Sequence, residues 1–152
     1  GVTDVVRLGG AEYSRGGFVS RGIAHHDLAF DDCSAPPDTV VAAFFAIADA
    51  AEGAVAVHCQ GGLGRTGTLA ALYLMRSHGF GAREAMGWLR IMRPGSVIGE
   101  QQQHLCEVER RAAQTQAVMA AVRVAQAGAV PRGFRSAFVP AAGRRGSKDA
   151  QL

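Results

Sequence analysis

His58-Cys59-Gln60-Gly61-Gly62-Leu63-Gly64-Arg65-Thr66-Gly67-Thr68 follows the apolar run Ala54-Val55-Ala56-Val57 and leads into Leu69-Ala70-Ala71-Leu72-Tyr73-Leu74-Met75. The first run reads as a strand buried on both faces, and the second has the pattern of a helix. A cysteine and an arginine thus bracket five residues, three of them glycine, at a strand-to-helix turn. The free N–H groups of a helix N-terminus attract anions, and successive N–H groups in a glycine-permitted turn form a concave nest for phosphate oxygens. Arg65 adds a planar, two-pronged donor to the same anion. A thiol at the floor of such a cup ionises readily. Free cysteine titrates near ~8.5, and helix N-termini or cations lower this to roughly 3.5–7.5. The chemistry implied is nucleophilic attack on phosphorus by Cys59. A glycine-rich turn with an inert cysteine is the plainer reading, but it leaves Arg65 and Thr66 unexplained. No Gly-Lys-Ser/Thr follows the glycines, which argues against a nucleotide-binding loop.

Outward from this stretch, Val2-Thr3-Asp4-Val5-Val6-Arg7-Leu8 predicts a strand, bounded by Gly9-Gly10. Ile23 to Leu28 predicts a second strand, and Ala54 to His58 a third. Val40, Val41, Phe44, Phe45, Ile47 and Ala48 recur at helical spacing between Pro37 and Ala51. Further helices are expected over Arg65–Ser77, Ala82–Met92 and about Gly99–Ala127, with Gly79 and Pro94 as punctuation. Strands alternating with helices predict an α/β architecture with a central, mainly parallel sheet flanked by helices. Ligands in such sheets bind beyond the carboxyl ends of the strands, where Cys59 falls.

The 152 residues suit one domain, expected over 1–127, with a basic Gly/Arg/Pro-rich tail over 128–152 expected to be disordered. That tail carries a net +4 and the remaining residues a net −1, so the pI near 9.1 belongs to the tail. All the basic residues except Lys148 are arginine. Without interleaved aromatics the tail does not favour a nucleic-acid partner. Cys33, Cys59 and Cys106 make no disulfide framework, and a thiolate nucleophile calls for a reducing compartment, so the nucleus or cytoplasm is expected. No apolar run approaches the ~20 residues that span a bilayer, so no membrane partner is expected. The chain begins at Gly1, almost directly with a strand-like run, and reads as a fragment or as an incomplete gene model.

His58-Cys59-x5-Arg65-Thr66 resembles the phosphate-binding loop of the cysteine-dependent phosphatases. Arg93-Pro94-Gly95-Ser96-Val97-Ile98-Gly99 and Gln101-Gln102-Gln103 downstream narrow the likeness to the Cdc14-type dual-specificity phosphatases, over about Val2 to Arg111. The resemblance implies the cysteine-phosphatase fold, here without its first strand and without the N-terminal partner domain of the family. It implies phosphoprotein substrates, phosphoserine or phosphothreonine before proline as well as phosphotyrosine, in cell-cycle dephosphorylation. It implies no metal or other cofactor. Gln60, Gly61, Gly62, Leu63, Gly64 and Arg65 would bind the phosphate, and Thr66 would help expel the Cys59 sulfur from a phosphocysteine intermediate.

A phosphatase of this kind must protonate a poor leaving group, and Phe30-Asp31-Asp32-Cys33-Ser34-Ala35-Pro36-Pro37-Asp38 is the acidic loop at hand. The resemblance favours Asp32, 27 residues before Cys59, over Asp31. Asp38 reads as first-turn helix chemistry. Cys33 stands where the family tends to have glycine. By the resemblance a glutamine orients the hydrolytic water, Gln101 or Gln102, with the register open. His58 is expected to support the loop from behind, while His25, His26 and Asp27 read as ordinary strand residues. Gln60 and Leu63 leave the loop without lysine, which favours protein substrates over inositol lipids. The competing readings are an atypical dual-specificity phosphatase acting on tyrosine or small phosphoesters, and a phosphopeptide-binding fragment with weak turnover.

Overall fold

Val2, Val5 and Val6 suit a pleated strand, and β1 forms over Val2–Arg7. The computed structural model describes residues 1–128. β2 (Ala24–Asp27) and β3 (Ala54–His58) flank β1, both parallel to it, in the sheet order β2-β1-β3. Arg7 lies in register with Asp27 on one side and His58 on the other. The carboxyl ends of all three strands therefore meet at one edge. There the Leu8 N–H donates to the His58 carbonyl at 2.9 Å, and the Leu28 N–H to the Arg7 carbonyl at 2.9 Å.

Parallel strands need a crossover, and α2 (Asp38–Ala50) joins β2 to β3. α1 (Gly16–Val19) between β1 and β2 has only four residues, two of them glycine, so the sequence carried no helical signal there. α3 (Gly64–His78) rises directly from the glycine-rich loop and ends at Gly79, whose φ of 70° is left-handed. α4 (Ala82–Met92) has its entry closed by the Glu84 carboxylate, which accepts the Gly81 N–H at 2.8 Å. α5 spans Gln101–Gly128. The basic tail expected over 128–152 lies, past Gly128, outside the described residues. The chain divides into two compact units, Gly1–Gln116 and Ala117–Leu152, and the site described below is in the first.

The core joins Val6 and Leu8 of the sheet side to Phe44 of α2, Leu69, Ala71 and Leu72 of α3, Ala82, Ala85 and Met86 of α4, and Leu105 of α5. Leu8, Leu69 and Leu105 are fully buried, each worth about 2–3 kcal/mol of apolar burial. One expectation is corrected. β3 is not buried on both faces: Ala54 and Ala56 are exposed, while Val55, Val57 and His58 are half-buried. Among the described residues β3 pairs only with β1, so it is an edge strand, and the doubly covered position belongs to β1. No helix among the described residues is long and apolar enough to cross a membrane.

Candidate active site

The loop after β3 folds back on itself because Gly62 adopts a φ of +66°, a conformation that a Cβ would strain. The turn aims the Gly62 N–H at the Cys59 sulfur, 3.2 Å away. Burial pushes the Cys59 thiol pKa up, but the Thr66 hydroxyl and the N–H groups of Thr66, Gly62 and Leu63 around the sulfur more than offset this, so it lies below its ordinary value. The Thr66 hydroxyl is buried without a formed hydrogen bond, so its proton is free to turn to the sulfur.

Arg65 leaves the first turn of α3 and is buried. Its Nη1 donates to the carbonyls of Leu8 at 3.1 Å and Phe30 at 3.2 Å, so the guanidinium is fixed by the ends of β1 and β2. Its Nε lies 3.1 Å from Asp32 Oδ1, an ion pair in which the N–H is not aimed at the oxygen. The arginine thus keeps a buried donor uncommitted beside Cys59. Asp32 is the exposed partner, with 62% of its side chain accessible. Asp31 instead contributes its carbonyl to the Ser34 hydroxyl at 2.8 Å. Cys33 takes a left-handed φ of 59° and donates its N–H to Asp32 Oδ1 at 3.0 Å, so the position suits glycine on steric grounds. Asp38 sits in the first turn of α2.

Gln101 is fully buried. Its Nε2 donates to the Ser34 carbonyl at 3.0 Å, its Oε1 accepts the Ile98 N–H at 3.2 Å, and the carboxamide lies against Gly64. It thereby ties the acidic loop to the start of α3. Gln102 turns to α4, accepting from Arg90 at 2.9 Å. Of the two glutamines left open by the sequence, only Gln101 is brought to the loop. Its resting bonds make it a structural tie as well.

Behind Cys59 lies a network of which only the His58 support was expected. His58 Nδ1 faces the Cys59 carbonyl at 3.0 Å, and since a carbonyl only accepts, Nδ1 donates. In the neutral ring Nε2 is then an acceptor, filled by the Tyr13 hydroxyl at 2.6 Å. The Tyr13 oxygen in turn accepts from His25 Nε2 at 2.9 Å. This leaves His25 Nδ1 unprotonated and without a hydrogen-bond partner, 3.9 Å from Asp27 Oδ2, and burial lowers the His25 pKa. His25 is therefore more than a strand residue, as is Asp27, which accepts from Arg7 Nε at 2.7 Å while Arg7 Nη1 donates to the Tyr13 carbonyl at 2.7 Å. His26 pairs with Asp4 at 2.9 Å. Tyr13, from a loop 45 residues before His58, carried no local signal of this role.

A polar recess of about 240 Å³ opens beside the thiol, walled by Gly9, Gly10, Glu12, Tyr13, Gln60 and Arg65 among others. A depressed thiol, converging N–H groups, an uncommitted arginine donor and a carboxylate at the rim together suit in-line displacement at an oxyanion such as phosphate.

Comparison with known proteins agrees with that chemistry. Residues 1–117 match the family described as PTP-SAK: Swiss Army Knife protein, DSP-PTPase phosphatase domain. The chain is 48% identical over 109 residues to the tyrosine-protein phosphatase cdc-14 of Caenorhabditis elegans, covering 72% of this chain and 15% of that protein. It is 51% identical over 104 residues to the human dual specificity protein phosphatase CDC14C, covering 68% of this chain and 23% of that one. The chain thus spans less than a quarter of the length of either relative. Among solved structures, that of Tk-PTP in the active form superposes with a TM-score of 0.66 at 32% identity, covering 72% of this chain and 80% of that one. The fold is that of the cysteine-based phosphatases.

Proposed function

The chain belongs to the DSP-PTPase phosphatase domain family, and from that premise we propose that it is a protein phosphatase hydrolysing phosphoserine and phosphothreonine before proline, and phosphotyrosine, through a phosphocysteine intermediate. The observation that carries this reading is the convergence of loop N–H groups and the Thr66 hydroxyl on a Cys59 with a lowered pKa, beside an Arg65 paired with Asp32 at 3.1 Å.

On phosphate binding, Arg65 and the N–H groups from Gln60 to Gly64 take the non-bridging oxygens. The negative charge brought beside Asp32 favours its protonated form, the form that a general acid needs. The Cys59 sulfur attacks phosphorus, the bond to the leaving oxygen breaks, and Asp32 gives that oxygen its proton. Water then attacks the phosphocysteine and loses a proton to Asp32, while the S–P bond breaks and Thr66 steadies the returning thiolate. One hard displacement becomes two easier ones. Gln101, which lies beside Gly64, is the proposed glutamine that aligns that water. Substrates are expected to be phosphoproteins rather than inositol lipids, since Gln60 and Leu63 bring no charge to the cup. A thiolate nucleophile calls for a reducing compartment, and the nucleus or cytoplasm is the proposed location.

Turnover of pSer-Pro, pThr-Pro, pTyr and phosphoinositide substrates by the chain tests the proposal. Hydrolysis of the phosphopeptides, abolished in Cys59→Ser, is expected. Turnover of pTyr and small aryl phosphates alone would move the assignment to an atypical dual-specificity phosphatase. Binding with no turnover would make the chain a phosphopeptide-binding module.

A further inference from the structure

The segment Arg93 to Val97 packs on the outer face of the catalytic loop. Arg90 of α4 anchors it there, donating to the Ser96 carbonyl at 3.0 Å and to the Val97 carbonyl at 3.2 Å. Val97 takes a φ of +65°, which a β-branched residue adopts only when its surroundings impose it. From this segment, donors reach three successive carbonyls of the loop. Arg93 Nη2 donates to Gly61 at 2.9 Å, Arg93 Nε to Gly62 at 3.0 Å, and the Val97 N–H to Leu63 at 3.2 Å.

Peptide planarity gives these bonds their consequence. In a trans peptide the carbonyl and the next residue's N–H point in opposite directions, and no cis peptide bond is present among the described residues. Holding the carbonyls of Gly61, Gly62 and Leu63 outward therefore turns the N–H groups of Gly62, Leu63 and Gly64 inward. Of these, the Gly62 N–H donates to the Cys59 sulfur at 3.2 Å, and the Leu63 N–H also favours its thiolate. Arg93 controls both through one planar fork, a geometry that lysine does not reproduce.

We propose that Arg93 is a positioning residue for the loop, which aims the N–H groups of Gly62 and Leu63 at the Cys59 sulfur and at a bound oxyanion by gripping the carbonyls on the far side of the same peptide groups. It acts through the backbone rather than by contact with substrate. The effect on turnover rests on the phosphatase reading above, but the effect on the thiol does not. Besides Arg93, the ionisable groups about Cys59 are Arg65 with its partner Asp32, His58 behind the loop, and Arg7 and Glu12 on the adjoining recess.

The test is the pH dependence of Cys59 alkylation by iodoacetamide in the substrate-free chain, with Cys33 and Cys106 separated by peptide mapping. Arg93→Ala is expected to move the Cys59 midpoint up by about one pH unit and to lower kcat/KM roughly tenfold. Arg93→Lys, which reaches one carbonyl at a time, is expected to fall between. Circular dichroism checks folding, and if Arg93→Ala does not fold, Arg93→Lys decides. A folded variant whose Cys59 midpoint equals that of the wild type overturns the proposal. A rise in KM alone, with the midpoint unmoved, would make Arg93 a substrate contact instead.

Discussion

Replacing Gly67 by alanine separates helix propensity from the packing that holds the loop. Gly67 lies in the first turn of α3, and alanine in a helix is favoured over glycine by about 1 kcal/mol. A Cβ built at Gly67, however, would stand 3.0 Å from the Val97 nitrogen and 3.3 Å from the Ser96 Cβ. The neighbour is backbone, and it has little room to yield. Val97 is already at a φ of +65°, its N–H donates to Leu63 and its carbonyl is tied to Arg90. Overpacking of this kind costs typically 1–3 kcal/mol. The propensity gain reduces that, leaving a net loss of up to about 2 kcal/mol. At about 4 °C per kcal/mol for a domain of this size, Tm should fall by up to roughly 8 °C. Gly87 in α4 is the control, since a Cβ there meets nothing within 4 Å. Gly87→Ala should stabilise by about 0.5–1 kcal/mol. Thermal melts of the two variants beside the wild type give both signs. A Gly67→Ala chain stabilised as much as Gly87→Ala would show that the 93–97 segment yields easily, and would refute its reading as a rigid outer clamp.

Asp32→Ala should slow hydrolysis of phosphopeptides far more than that of an aryl phosphate with an acidic leaving group, measured as the ratio of kcat values. Equal losses on both would move the acid role to Asp31 or elsewhere. Because the Cys59 pKa is lowered, the acid limb of kcat/KM should lie below the ordinary thiol range, and Thr66→Ala should shift it upward in a pH–rate series. Cys33→Gly should raise stability by about 1 kcal/mol, since it removes a left-handed φ of 59° from a residue with a Cβ; urea unfolding reads this. Burial lowers the His25 pKa below 6.5, so at acid pH the unfolded chain binds the extra proton and the folded one resists it. Stability should be full above that value and fall as pH drops from about 7 to 5, a window distinct from that of Asp4 and Asp27, which titrate below 3.8.

The residues that announced the site did so because their chemistry is local. Cys59, three glycines, Arg65 and Thr66 lie within eight consecutive positions, and the apolar run before them and the helical pattern after them place the cup without any tertiary information. Helix ends were legible for the same reason: α4 spans Ala82–Met92 as expected, bounded by Gly81 and Arg93. What escaped was set by distant contacts. Tyr13 becomes the link between His25 and His58 only when β1, β2 and β3 align in register. Gln101 and Gln102 are identical neighbours, and only the rotation of α5 sends one to Ser34 and the other to Arg90. The exposure of β3 follows from strand order, which an apolar run of five residues does not specify. Pro94 read as helix punctuation, and the grip of Arg93 on Gly61 and Gly62 required the loop to be folded beneath it.

The claim beneath all of these is that the Cys59 sulfur becomes covalently bonded to phosphorus during turnover. Rapid acid quenching of the chain mixed with a phosphopeptide, followed by mass mapping of its cysteine peptides, tests it directly. Phosphate is expected on the Cys59 peptide, more of it in Asp32→Ala with an aryl phosphate as donor, and none in Cys59→Ser. Steady turnover with Cys59 never phosphorylated, or activity that survives in Cys59→Ser, would contradict it.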